Sequence, residues 1–166
     1  MHTLADIEML RKEVSYDPET GIIKSIRNRG NIKCGHILGV NNGNDYFQFV
    51  VNKKLFLLHR VAFALSYCYW PEFVDHINGD RLDNRICNLR NVNKTQNNRN
   101  AAKKGGVGFR GVFKRKESYE VYIRIDGALS YLGRYKTPAH AAYVYDIASL
   151  QHHGEFGRRN FLPMVL

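Results

Sequence analysis

Residues 75–100, DHINGDRLDNRICNLRNVNKTQNNRN, constrain this chain more than any other segment, because so many short polar side chains cannot share a hydrophobic core. Asn and Asp favour turns, since their side chains bond neighbouring backbone groups in place of a helix or sheet partner. The stretch reads as two short strands, near 74–77 and 89–92, separated by a long Asn/Asp/Gly loop. A helix follows from about Thr95, with Thr95 or Asn93 as its cap. Loop chemistry alone is one explanation. A site that binds a metal and cuts a substrate is the other.

The flanks are ordinary folded sequence. Leu4, Ile7, Leu10 and Val14 recur at helical spacing behind Thr3, a suitable N-cap. Asp17-Pro18 and Gly21 mark a turn before a strand near 22–26. NGNDYFQFVVNKKLFLL reads as a hairpin turning at Asn52-Lys53, and HRVAFALSYCY (59–69) as a buried helix stopped before Pro71. AAKKGGVG (101–108) is the best linker. Beyond it, FRGVFKR, YEVYIRID and SYLGRYK read as three strands. Thr137-Pro138 then opens an Ala-rich helix that ends at Gly154, with Ala141, Val144, Tyr145 and Ala148 on its core face.

Composition narrows the class. Hydrophobic residues at 44% and charged residues at 24% are those of a folded globular chain. No apolar run approaches the ~20 residues of a membrane span, and the N-terminus has no secretory apolar block, so a cytoplasmic location is expected. Cys34, Cys68 and Cys87 form no CxxC pair, which argues against a disulfide framework or zinc ribbon and for reduced thiols. Twenty-five Lys and Arg against fifteen Asp and Glu give a net charge of +10, a field that attracts polyanions and above all nucleic acid.

Within the polar stretch, Asp75 and His76 are adjacent on a strand and so point to opposite faces. One can hold a metal while the other meets water or substrate. Asn97, on the following helix, would supply a second hard oxygen ligand suited to Mg²⁺ or Mn²⁺. His76 titrates near neutrality and can serve as general base. Asn88 can bond backbone across the loop and steady His76. His36, His140, His152 and His153 have no carboxylate partner at a metal spacing and read as structural or surface residues.

DHINGD-R-LDNR-x-x-NLR followed by QNNRN resembles the HNH nuclease family, in its His-Asn-Asn variant found in many phage-type homing endonucleases. YDPETG, a Gly-rich stretch, a hairpin and LHRVAF extend the resemblance over roughly residues 16 to 100. It implies a β-hairpin and helix around one divalent ion, with Asp75 and Asn97 as metal ligands, His76 activating water and Asn88 steadying the loop. His59 in LHR is a further catalytic candidate, though the motif also fits a buried histidine at a helix start. Lys94 and Arg90 are candidates for phosphate contact, or for a solvated basic face.

In the C-terminal third, Tyr119, Val121, Ile123 and Ile125 alternate with Glu120, Tyr122, Arg124 and Asp126, so the apolar set should meet the Ala-rich helix. Tyr122 and Arg124 then join Arg110, Lys114, Arg115, Tyr131 and Arg134 on an open, basic, aromatic face suited to DNA. Phe109-Arg110-Gly111-Val112, Ile123-Arg124, Leu132-Gly133, Thr137, Ala141-Ala142, Tyr145-Asp146, Gly154 and Asn160-Phe161 resemble the AP2 DNA-binding domain. That family folds as a three-stranded antiparallel sheet on one helix and binds duplex DNA through the sheet. Its DNA-facing positions fall on Arg110, Phe113, Arg115, Tyr122, Arg124 and Tyr131, several of them Phe or Tyr where Arg or Trp is usual.

The expectation is therefore an α+β protein. A ββα-metal HNH module (core about 72–102) lies within 1–104, preceded by a hairpin-rich region, and an AP2-like domain spans 105–166. It would cut double-stranded DNA with one Mg²⁺ or Mn²⁺ and no small-molecule cofactor, as a monomer or a dimer, in the cytoplasm of the host cell if phage-encoded. The rival readings are a sequence-specific DNA-binding regulator with an inactive nuclease motif, and an RNA-binding or RNA-cutting protein.

Overall fold

The computed structural model describes residues 2–41, 43, 46–100 and 107–161, apart from the side chains of residues 99 and 100. The chain divides into two compact units, residues 1–94 and 95–166. The expected linker lies largely outside the described residues. Among the described residues, no helix is long and apolar enough to cross a membrane.

The first unit begins with helix α1 (Leu4–Glu13), where the Asp6 carboxylate accepts the Thr3 N–H at 2.9 Å and so satisfies an orphan donor at the helix start. Strands β1 (Val14–Tyr16), β2 (Ile23–Ser25) and β3 (Ile37–Leu38) form one antiparallel sheet in that order. A second contains β4 (Val40–Asn41), β5 (Phe47–Val51) and β6 (Lys54–Leu57). The β5–β6 turn falls at Asn52 and Lys53, whose φ of 49° and 63° match a two-residue turn with positive φ at both central positions.

Helix α2 (Leu58–Tyr67) organises the unit. Its Leu58 and Val61 join Leu10, Val14, Ile23, Leu38, Phe49, Val51 and Phe56 in the main core. Its Ala62 and Phe63 pack with Val74 and Leu89 of a two-stranded ribbon, β7 (Phe73–His76) and β8 (Leu89–Val92). One helix thus buries two faces and fixes the ribbon's position. It ends at Tyr67, short of the expected residue 69, because Cys68 adopts the left-handed conformation (φ 63°). Helix α3 (Lys94–Asn100) follows directly after Asn93 and runs across the division between the units.

In the second unit, β9 (Val112–Arg115), β10 (Ser118–Ile125) and β11 (Ala128–Tyr135) form an antiparallel sheet with β10 central, covered on one side by α4 (Pro138–His153). The Thr137 hydroxyl caps α4 by accepting from His140 N. Val112, Val121, Ile123, Ala141, Ala142, Tyr145 and Ala148 make the core. Val144 is only half-buried, and Ala142 takes the inner position in its place. Gly111 is required here: its φ is +71°, and a Cβ would lie 2.2 Å from the Tyr145 ring. The fully buried Asp146 accepts the N–H groups of Asn160 and Phe161, each at 2.6 Å, and anchors the segment after the helix.

Candidate active site

Two-residue periodicity sorts the ribbon. Asp75 stands directly opposite Arg90, and His76 opposite Leu89. Arg90 donates Nε (3.1 Å) and Nη2 (2.8 Å) to Asp75 Oδ2, and both side chains are nearly buried, at 9% and 11% exposure. Arg90, a candidate for phosphate contact or for a solvated basic face, lies beside a candidate ligand and fixes the rotation of its carboxylate.

The loop from 77 to 88 uses its short polar side chains against its own backbone. Asn78 Oδ1 accepts from Asp80 N and Asp80 Oδ1 from Leu82 N. Asp83 gathers Arg85 Nε and Nη2 and Asn78 Nδ2, and Arg85 pulls its carboxyl down to about 2. Asn88, buried in the 3₁₀ turn Ile86–Asn88, bonds across the loop: it accepts Asn78 N–H at 2.9 Å and donates to the Asp83 carbonyl at 2.8 Å. Tyr16 Oη donates to Asn84 O and Ile86 N to Pro18 O, tying the loop to the β1–β2 turn. There Gly21 admits the close approach, since a Cβ would sit 2.7 Å from Arg85 N.

His76 ends β7 in a buried aromatic cluster. Its ring meets that of His59, the second residue of α2, edge-on at 5.2 Å between centroids. Tyr46 lies 5.0 Å from His59 and 6.1 Å from His76, and the Arg81 guanidinium sits 5.0 Å from the Tyr46 ring centre. Burial depresses both imidazoles. His59 falls to about 3, with the neighbouring His76 and Arg60 adding to the effect. His76 is lowered by burial, against a raising contribution from Asn84 and the nearby carboxylates. Both are therefore neutral at physiological pH, the state in which an imidazole can accept a proton. Asn84 donates Nδ2 to the Leu82 carbonyl, which turns its Oδ1 toward His76 Nε2 at 3.4 Å. His59 Nδ1 is buried and lacks a hydrogen-bond partner among the described residues.

The structure thus brings Asp75, His76, His59, Asn88 and Arg90 together around one ribbon. Asn97 lies half-buried on α3 in the second unit, and Lys94 at the end of the first. Among the described residues, no three His, Cys, Asp or Glu side chains group as a metal cage. The Asp75 carboxylate is a hard oxygen donor of the kind that suits Mg²⁺, which keeps several waters. Tyr46, Arg81 and Asn84 were not singled out from sequence. Arg81 and Asn84 both carried a signal, lying inside the DHINGD-R-LDNR motif, whereas Tyr46 carried none.

On the second unit's sheet, register separates the candidate DNA contacts, because directly opposed residues share a face. Arg115, Glu120, Tyr122, Arg124, Tyr131 and Arg134 fall on the side away from α4. Lys114, opposite Tyr119, falls on the helix side. Arg110 is half-buried, donating Nε to Tyr145 Oη at 2.8 Å and its N–H to Asn160 Oδ1 at 2.7 Å. Arg124 donates to the Gly127 carbonyl.

Residues 56–99, from β6 through the ribbon and into α3, match the family model described as HNH endonuclease. The match supports a nuclease acting on nucleic acid. A comparison with curated proteins finds no match.

Proposed function

We propose that the chain is a metal-dependent DNA endonuclease of the homing type. Its nuclease module would occupy residues 1–104, and an AP2-like module in 105–166 would bind duplex through the open face of its sheet. The observation that carries this reading is the neutral, buried His76 next to an Arg-fixed Asp75, inside the segment that matches the HNH endonuclease model.

In this reading the unprotonated imidazole of His76 takes a proton from water as the resulting hydroxide attacks the phosphorus and the leaving oxygen departs. Asp75 and Asn97 would hold Mg²⁺ or Mn²⁺, which supplies Lewis-acid polarisation of the phosphate and charge stabilisation at the leaving oxygen. Arg90 holds Asp75 in orientation, and Asn88 keeps the loop closed against β7. His59 acts by position: its uncharged ring against one side of His76 adds to the burial that keeps that imidazole unprotonated at neutral pH. Lys94 and Arg81 are the cations to meet phosphate. One site per chain favours a single-strand nick by a monomer.

The test is conversion of supercoiled plasmid by the purified chain with Mg²⁺, with Mn²⁺ and with EDTA. Open-circle product that requires the metal is the expected result. A chain that binds duplex but never cuts, with either ion, would instead be a DNA-binding regulator.

A further inference from the structure

The open face of the second unit's sheet is not the uniformly basic surface its arginines suggest. Phe113, Tyr122 and Tyr131, one from each strand, form a row across it with ring centroids 5.8 and 5.3 Å apart. Leu129, opposite Arg124, continues the row along β11. Phe113, Leu129 and Tyr131 are 41%, 62% and 54% exposed. Contiguous large apolar groups at a surface mark a place that something covers.

The cations flank this row. Arg115 and Arg134 lie toward the start of β10, where they donate Nε (3.0 Å) and Nη2 (2.7 Å) to the buried Glu120 carboxylate. Arg124 lies toward its other end. The Tyr122 hydroxyl also bonds Glu120, so this residue turns its polar end inward and leaves ring carbon outward. An apolar centre between cationic margins complements a groove with apolar groups on its floor and phosphates along its walls.

Among the groups that base pairs display in the major groove, the thymine C5 methyl is the one bulky apolar group, set among hydrogen-bond donors and acceptors. Reading guanine takes an arginine fork at the centre of the face, whereas two arginines here are tied to Glu120 at its margin. Stacking of unpaired bases takes open ring faces. These rings meet at 73° and 49°, so they share no common plane and offer no continuous platform for successive bases. We infer that the open face of β9–β11 docks in the major groove of thymine-containing duplex, with Phe113, Tyr131 and Leu129 against C5 methyl groups and the flanking arginines on phosphates. This rests on the reading of the sheet as a duplex-binding surface.

The test uses the full chain in EDTA, which suspends cutting while binding is measured. Duplexes enriched from a random pool are resynthesised with deoxyuridine in place of thymidine, which keeps every base pair and removes only the methyl. The expected result is thymine enrichment and a loss of about fourfold in affinity for each methyl contact removed. That difference should disappear in Phe113→Ala combined with Leu129→Ala and Tyr131→Ala, all exposed positions whose truncation leaves the core intact. Equal affinity for the two duplexes would overturn the inference while leaving duplex binding standing. A thymine preference that survives in the triple variant would place the methyl contacts elsewhere and overturn the assignment to this face. Preference for single strands would overturn it in favour of stacking, and absence of any duplex binding would overturn the reading beneath it as well.

Discussion

Both sheets that carry candidate functional residues set a carboxylate among arginines, but they do so to opposite effect. On the β7–β8 ribbon, Asp75 and Arg90 are both nearly buried. On the β9–β11 sheet only Glu120 is buried, while Arg115 and Arg134 stay 61% and 60% exposed. A pair removed from water fixes geometry and tolerates no loss of a partner, as a site for chemistry requires. A pair with its cations in solvent contributes little to stability and leaves them within reach of a polyanion. In the proposed function, reaction and recognition would thus place the same charges at different depths.

The largest contrast should appear on truncating the cations. Arg90→Ala leaves the Asp75 carboxylate buried without this guanidinium and should destabilise the first unit by about 3–5 kcal/mol. Arg134→Ala should change the second unit by less than about 1 kcal/mol. Urea unfolding separates the two cases, Trp70 fluorescence following the first unit and far-ultraviolet circular dichroism following both units. Equal effects would dissolve the comparison.

Asn88→Ala comes next. It strands the Asn78 N–H and the Asp83 carbonyl, with a destabilisation of about 1–3 kcal/mol by the same fluorescence and a matching loss of cutting. An unchanged midpoint would mean that the loop does not depend on this residue.

The histidines predict a pH signature. His59 titrates near 3 when folded and at 6.5 when unfolded. Below pH 6.5 the unfolded chain therefore binds a proton that the folded chain excludes. First-unit stability should fall with pH by up to about 1.4 kcal/mol per unit for that residue across the window from 6.5 to 3. His59→Leu should flatten the slope, and a flat wild-type profile between pH 7 and 5 would contradict it. Glu120 behaves oppositely in range. Its arginines hold it below the ordinary carboxylate value, so its contribution is full at these pH values and is lost only in stronger acid.

The smallest effect belongs to Glu120→Gln. Releasing Arg115 and Arg134 should raise duplex affinity two- to threefold, roughly, and steepen its salt dependence by about one counterion. A shallower slope would show that Glu120 organises these arginines for binding rather than restraining them.

Much of this was legible in the sequence where a local rule decides. Thr3 and Thr137-Pro138 fix helix starts, Asn52-Lys53 fixes a hairpin, and strand alternation separates the buried and open sides of β10. Asp75, His76 and Asn88 stood out by spacing, and the structure places them on one ribbon and loop. What stayed hidden was pairing at a distance. Strand register makes Arg90 the partner of Asp75 and turns Lys114 to the helix side, and neither follows from residue type. Glu120 alternates as a surface residue yet is buried, because arginines from two neighbouring strands close over it. Tyr46 reaches the histidines only through the β4–β6 sheet, 13 residues from His59 in sequence and 30 from His76.

The most direct measurement compares wild type with His76→Ala for plasmid nicking in Mg²⁺ and for duplex binding in EDTA, on the same preparations. The account predicts a loss of nicking of about 10²–10⁴-fold, the range for a general base, with binding unchanged. Nicking by the variant at the wild-type rate would remove His76 from the chemistry and contradict the account.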